Sequence, residues 1–544
     1  MPTVIGPADT ILVNGRITTG VGDESEATAL AWRDGYVVAV GSDADVLAFR
    51  SDRTEVVEVE GRRIIPGLID SHIHMVRAGL TWHTEARWDG LATLVDALAA
   101  ISRKAALRGE NEWVRVLGGW APGQFDEGRG PTRAELDVAA PLNPVYVQNL
   151  YEDAVLNTMA LERTGLDKPA TRPSGIDVET DAATGELTGR VRGKAALDLC
   201  TRLVGRPNLD QQISSTRAVL EELAAYGITG VADPNGFGVT PDSYRALYEL
   251  WRREKLTVRT RLYLGPSGPG TEVADYGDWS RFAHPGFGDG MLRVIGFGEA
   301  ASYGCMDLEG LDRDYRSTEV AKEEILQISQ LAIEFGWPMH LHAILDESIS
   351  TILDVWEVID AETTLGDKRF SLCHADHIGT SNLARAASMG IGIAVQNRLV
   401  YRNADSARAW GESVVHRAPP LRDMLDAGIH VGAGTDSTVV SSPNPWLSIW
   451  WLISGGTLDG SPARTKEQRL TRAEALRLYT LGSAWFSFEE AERGSLAVGM
   501  LADLAVLSDD LFEIEEKDIP RITALLTIVG GRVVHATGQF ATLR

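Results

Sequence analysis

Residues 61–79 read "GRRIIPGLIDSHIHMVRAG". An apolar run, 64–69, leads into Asp70, Ser71 and two histidines one residue apart, His72 and His74. A strand carries residues i and i+2 on one face, so the two imidazoles leave its end pointing the same way. That is the geometry of two ligands for one metal, and it needs partners elsewhere in the chain.

Further runs of this kind recur at 228–233, 258–264, 292–298, 338–342, 370–374, 391–396 and 430–435. Between most of them lie helical patterns such as "ISSTRAVLEELAAYG" and "STEVAKEEILQISQLAIEFG". Eight runs with intervening helices predict an α/β fold, a (β/α)8 TIM-like barrel over 64–490. The gap between the first two runs is too long for a barrel loop and holds two strand-like pieces, "WVRVLGGW" and "PVYVQNL", which predicts an insertion at about 82–190. The two ends read as short strands with turn signals at Asn14-Gly15, Asp34-Gly35 and Gly530-Gly531. They predict one small discontinuous β-sandwich built from 1–63 and 491–544. Thr471 and Glu474 form a capping-box pattern for a late helix.

Composition narrows the function classes. With 44% hydrophobic and 24% charged residues the 544-residue chain has an ordinary globular make-up. A net charge of −24 argues against binding a nucleic-acid backbone, which needs clustered cations. Cys200, Cys305 and Cys373 are too far apart for a disulfide framework or a CxxC metal knuckle, which fits a reducing cytoplasm. No secretory or membrane-spanning pattern is present, so the expected partner is a small-molecule substrate, with a homo-oligomer left open.

Six of the eleven histidines fall in the pairs His72/His74, His340/His342 and His374/His377, at the ends of predicted strands one, five and six. The eighth run ends in "VGAGTDS", which places Asp436 at the same rim. The C-terminal strand ends of such a barrel form the active-site face, where these side chains can converge. Imidazole nitrogens with carboxylate oxygens suit zinc or a similar divalent metal.

"PGLIDSHIH" and the distant "GTD" resemble the amidohydrolase superfamily, and "PTRAELDVAAPLNPV", "HAILDESI" and "GSLAVGMLADLAVL" resemble its family 3 branch, which includes N-substituted formamide deformylase-like proteins. The resemblance implies a metal-dependent hydrolase with a split β-sandwich around a TIM-like barrel. It implies that His72, His74, His342, His374 and Asp436 are metal ligands for one or two divalent ions, expected to be zinc, with Asp436 the catalytic acid-base group. His340 and His377 match no ligand position. Many relatives carry a bridging carboxylated lysine on strand four, but "LRVIGFGEA" has none, and Glu299 is the nearest anionic substitute. A His-containing segment of the family reads "LYEDAVLNTMAL" here, so Tyr151 or Glu152 stands in that region. Trp82 and Trp120 are candidates to hold an apolar N-substituent, with loop packing as the other reading. Arg77 and Arg398 are candidates for carboxylate recognition or for salt bridges. The expected reaction is hydrolysis of a non-peptide C–N bond, an N-acyl or N-formyl amine first, by metal-activated water. Deamination, cyclic-amide, urea or carbamate hydrolysis, and a catalytically silent metal-binding scaffold are the alternatives.

Overall fold

The computed structural model describes residues 6–20, 27–236, 238–461 and 464–543. Two four-stranded parallel sheets carry the candidate ligands. The first contains β1 (Leu68–Asp70), β2 (Ile228–Asp233), β3 (Arg259–Leu264) and β4 (Leu292–Phe297), in that spatial order. The second contains β5 (His340–Ala343), β6 (Ser371–His374), β7 (Gly392–Gln396) and β8 (Val431–Gly434). The sheets adjoin at both edges. Phe297 at the end of β4 donates its N–H to the Pro338 carbonyl (2.9 Å), and Ser71 after β1 donates to the Ala433 carbonyl of β8 (3.1 Å).

Helices connect the strands and bury apolar stripes against them. The helix Leu209–Ala225 starts at an Asn208–Gln211 capping box and buries Ile213, Val219, Leu220 and Leu223. The helix Glu319–Phe335 starts at Thr318, whose side chain accepts the Ala321 N–H, and ends at Gly336 with φ +75°. The Thr471–Glu474 capping box opens the helix Arg472–Arg477 as its sequence predicts.

The expected first run, 64–69, is two strands rather than one. Arg63–Pro66 pairs with Leu504–Leu507 in a five-stranded sheet, while β1 begins only at Leu68. Gly67 makes the break, because a Cβ there would meet the Thr229 side chain at 2.3 Å. That five-stranded sheet combines Arg16–Ile17 and Arg63–Pro66 with Leu504–Leu507, Ala524–Val529 and Arg532–Ala536, so the two ends of the chain share one hydrogen-bonded unit. It packs on a four-stranded sheet of N-terminal strands, with Leu12, Trp32, Val37, Ile64, Leu504 and Ile528 in one apolar cluster. Asp34-Gly35 and Gly530-Gly531 make hairpin turns with positive φ at both residues. Asn14-Gly15 does not; the chain crosses there from one sheet to the other.

The segment expected as an insertion contributes to a five-stranded sheet where two strands were expected: Val114–Val116, Val145–Asn149, Asp153–Leu156, Asp177–Thr180 and Leu187–Arg192. The three missed strands carry polar residues that mask the apolar pattern, such as Asp177, Glu179 and Thr180 in one and Thr188, Arg190 and Arg192 in another. Among the described residues, no helix is long and apolar enough to cross a membrane.

Candidate metal centre

His72, His74, Glu299, His342, His374 and Asp436 come from five segments of the chain and meet at the C-terminal ends of β1, β4, β5, β6 and β8. All are buried. Asp436 Oδ1 lies 3.1 Å from His74 Nε2 and 3.6 Å from His72 Nε2. Glu299 sits between the histidines, at 3.4 Å from His72 Nε2, 3.5 Å from His74 Nε2, 3.9 Å from His342 Nδ1 and 4.0 Å from His374 Nε2. His72, His74 and Asp436 form one set of donors within 4.8 Å of one another; His72, Glu299, Cys373 and His374 form another. The donor set fits a divalent ion, because imidazole nitrogens and carboxylate oxygens from five segments converge in one buried cluster.

The imidazole tautomers follow from the surroundings. His74 Nδ1 faces the Asn235 carbonyl at 2.6 Å, and a carbonyl only accepts, so Nδ1 carries the proton and Nε2 keeps a lone pair toward Asp436. His72 is set through a longer chain. Ser371 donates its hydroxyl to the Met339 carbonyl (3.0 Å) and so accepts from His340 Nδ1–H at 2.8 Å. His340 Nε2 then accepts from His72 Nδ1–H at 3.1 Å, which leaves the His72 Nε2 lone pair for a metal. Burial, then the neighbouring His72, holds the His340 pKa well below its usual value, so this ring stays neutral. His340, left outside the expected ligand set, therefore acts through His72, while His377 stacks on Trp410 away from the cluster.

Asp307 is a residue the sequence did not single out. Its Oδ1 accepts from His342 Nε2–H at 2.9 Å, and its Oδ2 accepts the N–H groups of Ile344 (2.9 Å) and Leu345 (2.7 Å) and the Ser348 hydroxyl. This turns Nδ1 of His342 toward Glu299. No local pattern around "CMDLEG" marks the position; only a 35-residue long-range contact does.

Burial alone would raise the Asp436 carboxyl, but hydrogen bonds with His72 and His74, whose Nε2 atoms share protons with it when no metal is bound, hold it well below the usual range. Glu299 is likewise pulled down against burial by His74 and His72. Both are available as anionic ligands.

Around this cluster, Arg77 donates Nη1–H to the Tyr151 hydroxyl (2.6 Å), while its Nε and Nη2 are buried without a hydrogen-bond partner among the described residues. Burial raises the Tyr151 pKa to about 12, with Arg77 opposing and Asp436 adding to the rise. Tyr151 thus lies within electrostatic reach of the Asp436 carboxylate. Arg398 is buried in ion pairs with Glu309 (3.1 Å) and Asp376 (3.2 Å), which fits its salt-bridge reading. Trp82 lies under the Arg87 guanidinium, 3.9 Å from its ring centre. Trp120 packs edge-on to Trp88 at 4.9 Å and donates its Nε1–H to the Gln148 carbonyl, inside the insertion's own core.

The amidohydrolase family pattern matches residues 55–535. The chain belongs to the amidohydrolase family. It is 27% identical to an N-substituted formamide deformylase of Arthrobacter pascens, over 96% of this chain and 97% of that one. It is 26% identical to the protein LONG AFTER FAR-RED 3 of Arabidopsis thaliana, over 97% and 92% of the two chains. An uncharacterized metal-dependent hydrolase from Pyrococcus horikoshii shares the fold, with a TM-score of 0.67 at 21% identity over 93% of this chain and 99% of its own. A zinc-bound atrazine chlorohydrolase from Arthrobacter aurescens does so with a TM-score of 0.54 at 18% identity over 97% and 95%. This family member is a metal-dependent hydrolase acting on carbon–nitrogen bonds.

Proposed function

We propose that this amidohydrolase cleaves an N-acyl amine, with N-formyl amines as the first substrate class, on a zinc centre held by His72, His74, Glu299, His342, His374 and Asp436. The observation that carries the reading is the ionised Asp436 carboxylate beside the paired His72 and His74 nitrogens, at 3.6 and 3.1 Å. The full-length similarity to a formamide deformylase supports the substrate class. We read the adjoining sheets as one closed (β/α)8 barrel over 64–490, with an inserted unit near 82–190. The strands of 1–63 and 491–544 then form a β-sandwich, with the first-sheet boundary moved to Gly67 by the strand break.

A bound divalent ion supplies Lewis-acid polarisation and lowers the pKa of water from 15.7 to about 7. Asp436 accepts the proton of the attacking water at a carboxylate oxygen and returns it to the leaving nitrogen. Glu299 supplies negative charge between the imidazoles, where two nearby dications would otherwise repel. Arg77, whose Nε and Nη2 have no hydrogen-bond partner among the described residues, and the Tyr151 hydroxyl it touches are the candidates to hold a substrate oxygen. Trp82 is the candidate aromatic wall, while Trp120 packs on Trp88 and Phe125 in a separate apolar cluster.

The test is a panel of N-formyl amines, N-acyl amines, ureas and aminoheterocycles offered to metal-loaded protein, with formate, amine and ammonia measured separately. Formate and amine in equal amounts, lost on chelation and regained with zinc, are expected. Ammonia release from an aminoheterocycle with no deacylation would replace the proposal with a deaminase, and turnover in protein shown to be metal-free by elemental analysis would reject the metal centre.

A further inference from the structure

We propose that Cys373 is a sulfur ligand of this metal centre; the inference rests on the metal reading above and refines it. β5 and β6 pair His340 with Ser371 and His342 with Cys373. Paired residues of adjacent parallel strands share a face, and the 2.8 Å contact between His340 and Ser371 shows that this face is the one that carries His72. Cys373 therefore reaches the ligand side by ordinary strand alternation, directly beside His342.

Its Sγ lies 3.9 Å from Glu299 Oε2, and Sγ, a Glu299 oxygen and ring nitrogens of His72 and His374 are all within 4.8 Å of one another. Zinc bonds of ~2.0–2.1 Å to nitrogen and ~2.3 Å to sulfur give a tetrahedron with edges of roughly 3.3–3.6 Å. The observed edges from Glu299 are 3.4 Å to His72, 3.9 Å to Cys373 and 4.0 Å to His374, each within a few tenths of an ångström of that range, and the other three edges are under 4.8 Å. An independent observation points to the same place. His72 Nε2 is fully buried and makes no hydrogen bond of ordinary geometry among the described residues, although carboxylate oxygens of Glu299 and Asp436 lie 3.4 and 3.6 Å away. A buried lone pair of this kind is costly unless something binds it.

The plainer role for Cys373 is a thiol that donates a weak hydrogen bond to Glu299. The two roles differ chemically. As a ligand, the thiol releases its proton to solvent as the sulfur–metal bond forms, adding a soft anionic donor to a nitrogen and oxygen set. Such a centre favours zinc and cadmium over manganese and magnesium. Cys200 and Cys305 are also free and buried, but neither belongs to a donor cluster among the described residues, so they serve as controls.

The test begins on the unaltered protein loaded with cobalt(II) or zinc. A thiolate-to-cobalt charge-transfer band in the near ultraviolet, and a sulfur shell at about 2.3 Å in zinc-edge X-ray absorption, are expected. The band should persist in Cys200→Ser and Cys305→Ser and vanish in Cys373→Ser and Cys373→Ala, with the cadmium-to-manganese affinity ratio falling about tenfold or more. Cobalt retained at full stoichiometry without the band, and zinc with only nitrogen and oxygen neighbours, would overturn the sulfur ligand and leave the hydrolase reading standing. Failure to retain any metal would overturn both.

Discussion

Replacing Asp307 by asparagine should invert the His342 tautomer. The carboxylate now accepts from four donors, His342 on Oδ1 and the Ile344 and Leu345 N–H groups with the Ser348 hydroxyl on Oδ2. An amide has only one oxygen. The two backbone N–H groups cannot turn away, so the oxygen must face them and the NH2 must face His342 Nε2. That nitrogen then has to accept, and the ring proton moves to Nδ1, the atom 3.9 Å from Glu299 on the ligand side. A protonated nitrogen cannot bind a metal. Loss of an orienting partner of this type lowers metal affinity by about 10–100-fold, or roughly 1.4–2.8 kcal/mol. Asp307→Ala supplies the contrast. It leaves His342 free to choose the competent tautomer but orphans two buried N–H groups at about 1–3 kcal/mol each. Chelator competition for metal affinity and thermal melts of the metal-free proteins should therefore cross: the asparagine variant loses more affinity, the alanine variant more stability. Wild-type affinity in a folded Asp307→Asn protein, or the reverse order of the two variants, would refute the tautomer argument.

Asp436→Asn should keep the fold and lose about two to four powers of ten in kcat, the scale of a positioned acid-base group, measured on protein of confirmed metal content. Glu489, buried under Arg261 (2.6 Å), Arg493 (2.8 Å) and Arg293 (3.4 Å), holds β3 and β4 to the segment that follows the helix Ser483–Trp485; Glu489→Gln leaves buried guanidinium charge unpaired and should cost about 3–5 kcal/mol in denaturant unfolding. Glu474 is lowered from 4.5 to about 2 chiefly by hydrogen bonds from Arg422, so its contribution is present above pH 4.5 and lost as the pH falls toward 2. The pair is partly open to solvent, so Glu474→Gln should cost under about 1 kcal/mol at neutral pH, and the two proteins should converge in stability near pH 2.

Much of this was legible where period and turn chemistry speak locally. The alternation of apolar runs with helical patterns pointed to eight parallel strands, and the His72/His74 pair and Asp436 are side chains that the fold does bring together. The errors lie where a distant partner decides. Nothing in 64–69 shows that its first half pairs with Leu504–Leu507, and Asn14-Gly15 has the residues of a hairpin turn but strands on either side that join different sheets. Asp307 owes its role to groups 35–41 residues away. Cys373 was hidden by its neighbour: a histidine at the strand end draws attention from the residue before it, although register with His342 makes the cysteine the one that alternation turns inward.

That register raises a question about His374 itself. If Cys373 faces the ligands by alternation, its neighbour should face the helices, yet His374 lies 4.0 Å from both Glu299 and Asp436. The backbone resolves the conflict by leaving the strand conformation. His374 has φ +71°, Ala375 +52° and Asp436 +55°, values that cost a non-glycine residue about 1–3 kcal/mol each. Neighbouring strands hold them there: His374 N–H donates to Gln396 Oε1 of β7 (2.8 Å), Ala375 N–H to the Ala343 carbonyl of β5 (2.9 Å), and Asp436 N–H to the His72 carbonyl (2.8 Å). Two adjacent residues of one strand, Cys373 and His374, can thus both reach the centre, which a regular strand forbids. Positioning of the donors consequently depends on the lateral hydrogen bonds between strand ends as much as on the strands themselves.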